Sequence, residues 1–260
     1  MSNDTDFWNA LDPDLLGRMT SRREALSRAR DMAGTLALAS VPVALAATAR
    51  SAFAQSIPQD VVDVLNFALT LEYLENEFYL GGLQASSLIP ASDRSIFETI
   101  QDHEQAHVDF LLETLGDAAV EKPDFDFTAG GAFAPYQDYG QFRLLSQAFE
   151  DTGVRAYKGQ APALVGTGGV LEAALTIHSV EARHAARVRS LNGSQGWIPG
   201  VQPDAPDAVA AVYAGEDRAS HLGVQVADVT DVGTTGITEA WDEPLTMDEV
   251  LAIAGPFIQA

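Results

Sequence analysis

Two stretches of this sequence put charge where a helix core should be apolar, and both use the same spacing. In the first, Glu72 is followed seven residues on by Tyr79, and "EQAH" then sets Glu104 and His107 three apart. In the second, Glu150 is followed seven on by Tyr157, and "EARH" sets Glu181 and His184 three apart. The first Glu and the Glu-x-x-His pair are separated by 32 residues in one half and 31 in the other. Apolar stripes run through both pairs: Phe97, Ile100, Leu111 and Leu115 around the first, Leu171, Leu175, Val188 and Leu191 around the second, with His178 one turn before Glu181. Burying an unpaired carboxylate costs on the order of several kcal/mol or forces it to take up a proton. The chain must therefore supply something that compensates four buried glutamates.

The periodicity predicts four long helices. The first runs from about Pro58 to Leu83 with Leu65, Leu69, Glu72, Tyr79 and Leu83 on one face, and Gly81-Gly82 is expected to mark its fraying end. The second starts at Ser92 as N-cap and stops at Gly116; the third spans Tyr139 to Gln160 before Pro162; the fourth spans Gly169 to Asn192 with Gly193 as its C-terminal cap. Between the second and third lies a Pro-, Gly-, Phe- and Asp-rich stretch, Asp117–Gln137, with no steady period. A connection of that length makes sense as a crossover running the length of a bundle. The tail from Ser194 onward is irregular, with a short helix expected near Asp207–Gly215 and a final one starting at the capping box of Thr246 and Glu249. The expectation is an all-α fold: a four-helix bundle over residues 55–193 with a long crossover between helices two and three, and a C-terminal extension, 194–260, packed on it.

The spacing has a direct physical meaning. Residues three apart on a helix share a face, roughly 5–6 Å between Cβ atoms. A Glu-x-x-His pair thus aims a carboxylate and an imidazole at one point. Two such helices, with one Glu from each of two others, assemble four carboxylates and two imidazoles, the donor set of di-iron and di-manganese carboxylate bundles. Two divalent cations bring +4, which the four carboxylates neutralise. The candidate ligands are Glu72, Glu104, His107, Glu150, Glu181 and His184. Iron or manganese suits this oxygen-rich set; zinc also accepts such ligands, so spacing leaves the metal open. Tyr79 and Tyr157 are candidates to hydrogen-bond the ligand carboxylates, with core filling as their other role. Glu75 is either an additional carboxylate of the site or a partly solvated one, and His178 is placed just above it.

Composition narrows the function. The chain carries −22 formal charge, which repels phosphate backbones and argues against nucleic acid partners. It has no cysteine, so disulfides, iron–sulfur clusters and thiol nucleophiles are excluded. The N-terminus has the form of an address. "SRREAL" (residues 21–26) holds an arginine pair, an alanine-rich apolar stretch covers residues 33–49, and "AFA" (residues 52–54) fits a small-x-small cleavage rule. This resembles a twin-arginine export signal, residues 1–54, cut before Gln55, with Ala25 where a phenylalanine is usual. A retained membrane anchor is the alternative; after cleavage no stable membrane insertion is expected, and the location is the periplasm or cell exterior.

The segments "LNFALTLEYLENEFYLGGL", "HEQAH", "AFEDTGVRAY", "SVEARHAA" and "WDEPLTMDEVLAIAGPFI" together resemble the ferritin-like superfamily, and within it exported bacterial ferritin-like proteins related to plant desiccation-related proteins. The resemblance implies a ferritin-like bundle whose di-metal ligands are the six residues named above, all present here. The lack of cysteine separates the chain from rubrerythrins, and the long tail from cage-forming ferritins. Two functions follow. One is a di-metal oxidoreductase in which iron reacts with dioxygen or peroxide, as a ferroxidase, a peroxidase or an oxidase of a small-molecule substrate. The other is a non-enzymatic envelope stress protein whose metals are structural or buffered. Homo-oligomerisation is left open.

Overall fold

A computed structural model describes residues 57–200 and 207–259. The proposed export signal, residues 1–54, lies outside the described residues. Four long helices dominate: α1 (Gln59–Gln84), α2 (Arg94–Leu115), α3 (Tyr139–Gln160) and α4 (Gly169–Leu191). α1 packs along α2 and α3 along α4, while α1 and α3 meet across the bundle. Among the described residues no helix is long and apolar enough to cross a membrane.

The helix bounds follow local chemistry. Asp138 caps α3 by accepting from the backbone N–H of Gln141 at 2.9 Å. α4 ends where Gly193 adopts φ 76° and Ser194 N–H returns to the Arg189 carbonyl at 2.9 Å. Two expectations fail. Ser92 is not the cap of α2: Asp93 holds that position, and the Ser92 hydroxyl donates to the Asp93 carboxylate instead. Gly81 and Gly82 do not fray α1, which continues to Gln84. A Cβ on Gly81 would overlap the Tyr136 ring and one on Gly82 the Phe142 ring. These glycines serve packing, and the helix runs through them because tertiary contact outweighs their propensity deficit of about 1 kcal/mol each.

Phe142 enters through that gap to build an aromatic layer with Phe78, Phe97 and Phe149, with ring centroids 4.9–5.0 Å apart in three of the pairs. This layer uses the C-terminal half of α1 and the N-terminal halves of α2 and α3. The opposite end of the bundle uses the N-terminal halves of α1 and α4 and the C-terminal halves of α2 and α3, where Ala68, Leu111, Ala156 and Ala174 line one cavity. So α2 and α3 run in the same direction. A helix of 22 residues spans about 33 Å, and the intervening chain must return over that length, as the aperiodic linker implied.

The crossover is not featureless. Its strand β1 (Asp124–Phe125) pairs antiparallel with β4 (Ile258–Gln259), which ties the end of the chain to it. The extension also holds a 3-10 turn over Asp207–Tyr213, a hairpin of β2 (Ser220–His221) and β3 (Val224–Gln225), and helices α5 (Thr234–Thr238) and α6 (Met247–Ala254). The capping box of Thr246 and Glu249 opens α6, as its sequence predicts. Arg155 is the fastener. Its guanidinium donates to the carbonyls of Glu243 (2.7 Å), Ala214 (2.7 Å) and Val212, and pairs with Glu216 at 2.8 Å. A second buried node joins Arg189 to Asp151 (2.9 and 2.5 Å), and Tyr213 donates to the same carboxylate at 2.8 Å. With the extension on one side and the bundle on the other, residues 146–157 of α3 are buried without a break.

Candidate metal centre

The glutamates sit at mid-height, between the aromatic layer and the alanine-lined end. Glu72, Glu104, Glu150 and Glu181 are each 0% exposed, and His107 and His184 are buried beside them. α2 presents Glu104 and His107 on one face and α4 presents Glu181 and His184, while α1 and α3 each deliver one Glu. Both imidazoles turn Nδ1 inward. His107 Nδ1 lies 3.1 Å from Glu72 Oε2, 3.1 Å from Glu104 Oε2 and 3.3 Å from Glu181 Oε1. His184 Nδ1 lies 2.8 Å from Glu104 Oε1 and 3.3 Å from Glu150 Oε2.

The six residues form two overlapping groups whose donor atoms lie within 4.8 Å of one another: Glu72, Glu104, His107 and Glu181, and Glu104, Glu150, Glu181 and His184. Glu104 and Glu181 belong to both. The two oxygens of Glu104 face different imidazoles. Each group offers three carboxylate oxygens and one imidazole nitrogen.

The donor set fits a cation on a further observation. Glu104 Oε1, Glu150 Oε2, both carboxylate oxygens of Glu181 and His184 Nδ1 are buried with no hydrogen-bond partner. The 2.8 Å approach of His184 to Glu104 is an ion contact that lacks hydrogen-bond alignment. Each unsatisfied buried group costs about 1–3 kcal/mol, and five converging on one volume would be hard to sustain. Hard divalent ions satisfy all five at once.

Electrostatics point the same way. Burial raises Glu72 to about 7 despite His107 beside it. Burial and the neighbouring carboxylates push Glu181 well above the usual range, and burial raises Glu150. Burial alone would raise Glu104 too, but the two imidazoles against it hold it below 4.5. Burial alone would lower His184, yet Glu150 and Glu104 lift it to about 11; Glu72 and its neighbours likewise lift His107 well above 6.5.

The tyrosines cross over. Tyr79 donates to Glu150 Oε1 at 2.5 Å, and Tyr157 donates to Glu72 Oε1. Each Tyr therefore serves the Glu of the other repeat. Glu75 is 3% exposed, so it is not a solvated carboxylate. It faces Glu181 across Gly153, where a Cβ would lie 3.1 Å from Glu75 Oε1 and 3.0 Å from Glu181 Oε2. Burial and four neighbouring carboxylates push its pKa well above 4.5.

His178 is half-buried, and the charged groups that perturb it are Lys158 and Asp242. The imidazole that backs the site is His103, whose Nδ1 lies 2.9 Å from His184 Nε2. The ring centroids are 5.2 Å apart with nearly coplanar rings, so the nitrogens meet edge to edge. His103 lies off the apolar stripe of α2 and is exposed, so periodicity does not assign it to the site. The stripe of α4 also needs correction. Its buried track is Val170, Ala173, Ala174, Ile177, Glu181, His184, Ala185 and Val188, whereas Leu175 is 50% exposed. Both tracks step back from Glu181 by helical spacing, and the small alanines win the buried one because they let the neighbouring helices close in. Ala185 is buried accordingly, but Ala182 is exposed, as is Arg183.

Fold and site together define a four-helix bundle protein with a buried carboxylate–imidazole cluster able to hold metal. The family model described as ferritin-like domain matches residues 60–194. The chain belongs to this ferritin-like family. Comparison with curated proteins finds no match.

Proposed function

We propose that the chain is an exported protein holding two metal ions, iron or alternatively manganese, bridged by Glu104 and Glu181, and that it performs redox chemistry with dioxygen or peroxide. The observation that carries this reading is the pair of overlapping donor groups sharing two carboxylates. Glu72 and His107 complete one position; Glu150 and His184 complete the other. Bound iron would supply the electrons for reduction of dioxygen or peroxide. The chain's own residues hold the donors in place: Tyr157 and Tyr79 fix the carboxylates of Glu72 and Glu150, and His103 fixes the ring of His184. Glu75 lies beside Glu181 across Gly153. The apolar layers above and below exclude bulk water.

The export part of the reading rests on the arginine pair and the apolar stretch of residues 1–54. A protein loaded with metal before it leaves the cytoplasm suits a route that carries folded chains. The rival reading, a non-enzymatic stress or desiccation-related protein with structural metal, draws on the full burial of all four glutamates, since closed sites characterise structural metals.

The test is iron-dependent consumption of dioxygen or peroxide by the loaded protein, alongside metal analysis of material purified through its own export route. We expect two ions per chain and turnover that disappears in Glu104→Ala. Equal turnover in that variant sinks the redox reading; metal-dependent melting without turnover in the unaltered protein supports the structural one.

A further inference from the structure

The C-terminal extension does not close flush against the bundle. Where it crosses α3 it leaves a cavity of about 110 Å³. The voids at the alanine-lined end and beside Glu75 are smaller, about 30 Å³ and about 10 Å³. Four segments far apart in sequence build the larger one. The crossover gives Phe133, α3 gives Leu145 and Phe149, the 3-10 turn gives Val212, and the end of the chain gives Ile253 and Phe257. Protein interiors contain few voids larger than a water molecule, so a cavity of this size along the seam is a specific feature.

Its chemistry is uniform. Every side chain that lines it is Ala, Val, Leu, Ile, Phe or Pro. None of them can pair with a charge or hold a water, which needs two to four polar partners. The floor is buried: Leu145, Ala148 and Val212 are 0–3% exposed. The mouth is rimmed by Ala208, Ala211, Ala252 and Pro256, all exposed. Small side chains thus stand where the cavity meets solvent, and a guest can enter without displacing a bulky one. Three of the lining residues are phenylalanines set at different tilts. Phe149 and Phe257 meet edge to face with centroids 5.0 Å apart, and Phe133 lies 6.0 Å from Phe257 at 29°. A guest ring among them finds edge-to-face and offset contacts, the arrangements aromatic pairs prefer.

Size and polarity select the occupant. An enclosed void of roughly 150 Å³ admits benzene. Here about 110 Å³ opens to solvent, which seats a single ring with one edge at the mouth and leaves no room for fused rings. We propose that this cavity binds one uncharged molecule carrying a single aromatic ring. None of the metal donors lines it, so the site is separate from the carboxylate cluster. It exists only while the extension is docked. Val209 and Val212 of the 3-10 turn and Ile253 of α6 leave the wall if the extension lifts away, and the same turn offers the Val212 carbonyl to Arg155. A ligand that binds the docked state alone holds the extension on the bundle. This site goes beyond the redox reading and requires none of its parts.

The experiment uses methyl NMR of the full chain with benzene and, separately, with hexane. Benzene should shift the Ala148, Val212 and Ile253 methyls saturably and leave those of Val188, buried but outside the cavity, in place. Hexane should bind several-fold more weakly. Ala252→Phe puts a ring into the mouth from an exposed position of α6 and should abolish the shifts; Ala208→Leu does the same from the 3-10 turn if the phenylalanine variant fails to fold. Cleavage within residues 207–245 should slow about tenfold with benzene at ten times its Kd. No saturable shift, shifts that survive both substitutions, hexane binding as tightly as benzene, or unchanged cleavage would overturn the proposal. Neither turnover nor metal content is a readout here, so loss of either would leave this result intact, and absence of ring binding would leave the metal reading intact.

Discussion

Glu104 is the residue whose loss should distinguish a bridged pair of metal positions from six independent buried groups. Its carboxylate contacts both imidazoles, at 2.8 and 3.1 Å, and it is the one member of the cluster held below 4.5. The two imidazoles against it favour its charged form, as its carboxylate favours theirs. Glu104→Gln keeps the shape and removes the charge. Breaking a buried pair by neutralising one partner costs about 3–5 kcal/mol. For a domain of this size each kcal/mol moves Tm by roughly 2–4 °C, so the metal-free variant should melt about 6–20 °C lower. The sign with pH is fixed: a depressed carboxyl contributes stability above its unfolded value of 4.5 and loses it only as pH falls through the folded value. The deficit should be complete at pH 7 and shrink only in strong acid. Metal content is the second readout. Glu104 belongs to both donor groups and Glu72 to one, so Glu104→Gln should lose both ions while Glu72→Gln keeps one. Scanning fluorimetry on chelated protein and metal analysis on reloaded protein measure the two effects. If Glu104→Gln retains as many ions as Glu72→Gln and melts within about 2 °C of the unaltered chain, the bridging assignment and its electrostatics are both wrong.

Further outcomes follow from the same geometry. Metal must displace protons from Glu72, raised to about 7, and from His184, raised to about 11; affinity should rise about tenfold per pH unit for each proton displaced. Raised acid and imidazole values also mean that metal-free stability falls as pH climbs above 4.5 and 6.5 respectively, so the gap between loaded and metal-free Tm should widen from pH 5 to pH 8, and a constant gap would contradict it. Gly153→Ala, normally a gain of about 1 kcal/mol in a helix, should show no such gain in the metal-free protein. It should also weaken metal binding about 10–100-fold by displacing Glu181, as seen by competition with a chelator. His103→Ala should weaken the His184 position by a similar about 10–100 fold while leaving the His107 position loaded, and His103→Gln should restore part of it; calorimetric titration resolves the two steps. Arg155→Met leaves Glu216 buried without its partner, at about 3–5 kcal/mol, and should expose residues 207–245 to protease while Glu72 and its neighbours still hold metal.

The four helices were legible because each carries a long, steady period: α3 begins at Tyr139 and ends at Gln160 where the pattern puts it. The finer packing was not. Gly81 and Gly82 look like a terminus by propensity, and only the Tyr136 and Phe142 rings show why α1 runs through them. Leu175 and Ala174 lie on rival helical tracks, and bulk favours the wrong one, since what decides burial is how closely the neighbouring helix approaches. The short strand β1 carries no period to detect; it exists because β4, more than a hundred residues away, supplies its hydrogen bonds.

The six candidate ligands converge, and their types and spacing already required it: three residues on a helix fix two donors on one face, and only a shared centre relieves so many buried charges. The sequence therefore determined which residues face one another and what donor set they make. It treated the six as equals. Tertiary structure decided that Glu104 and Glu181 are shared, that each Tyr serves the Glu of the other repeat, and that His103 stands against His184. Those distinctions depend on distances between helices, which arise from packing across the bundle and leave no trace in the spacing along any one of them.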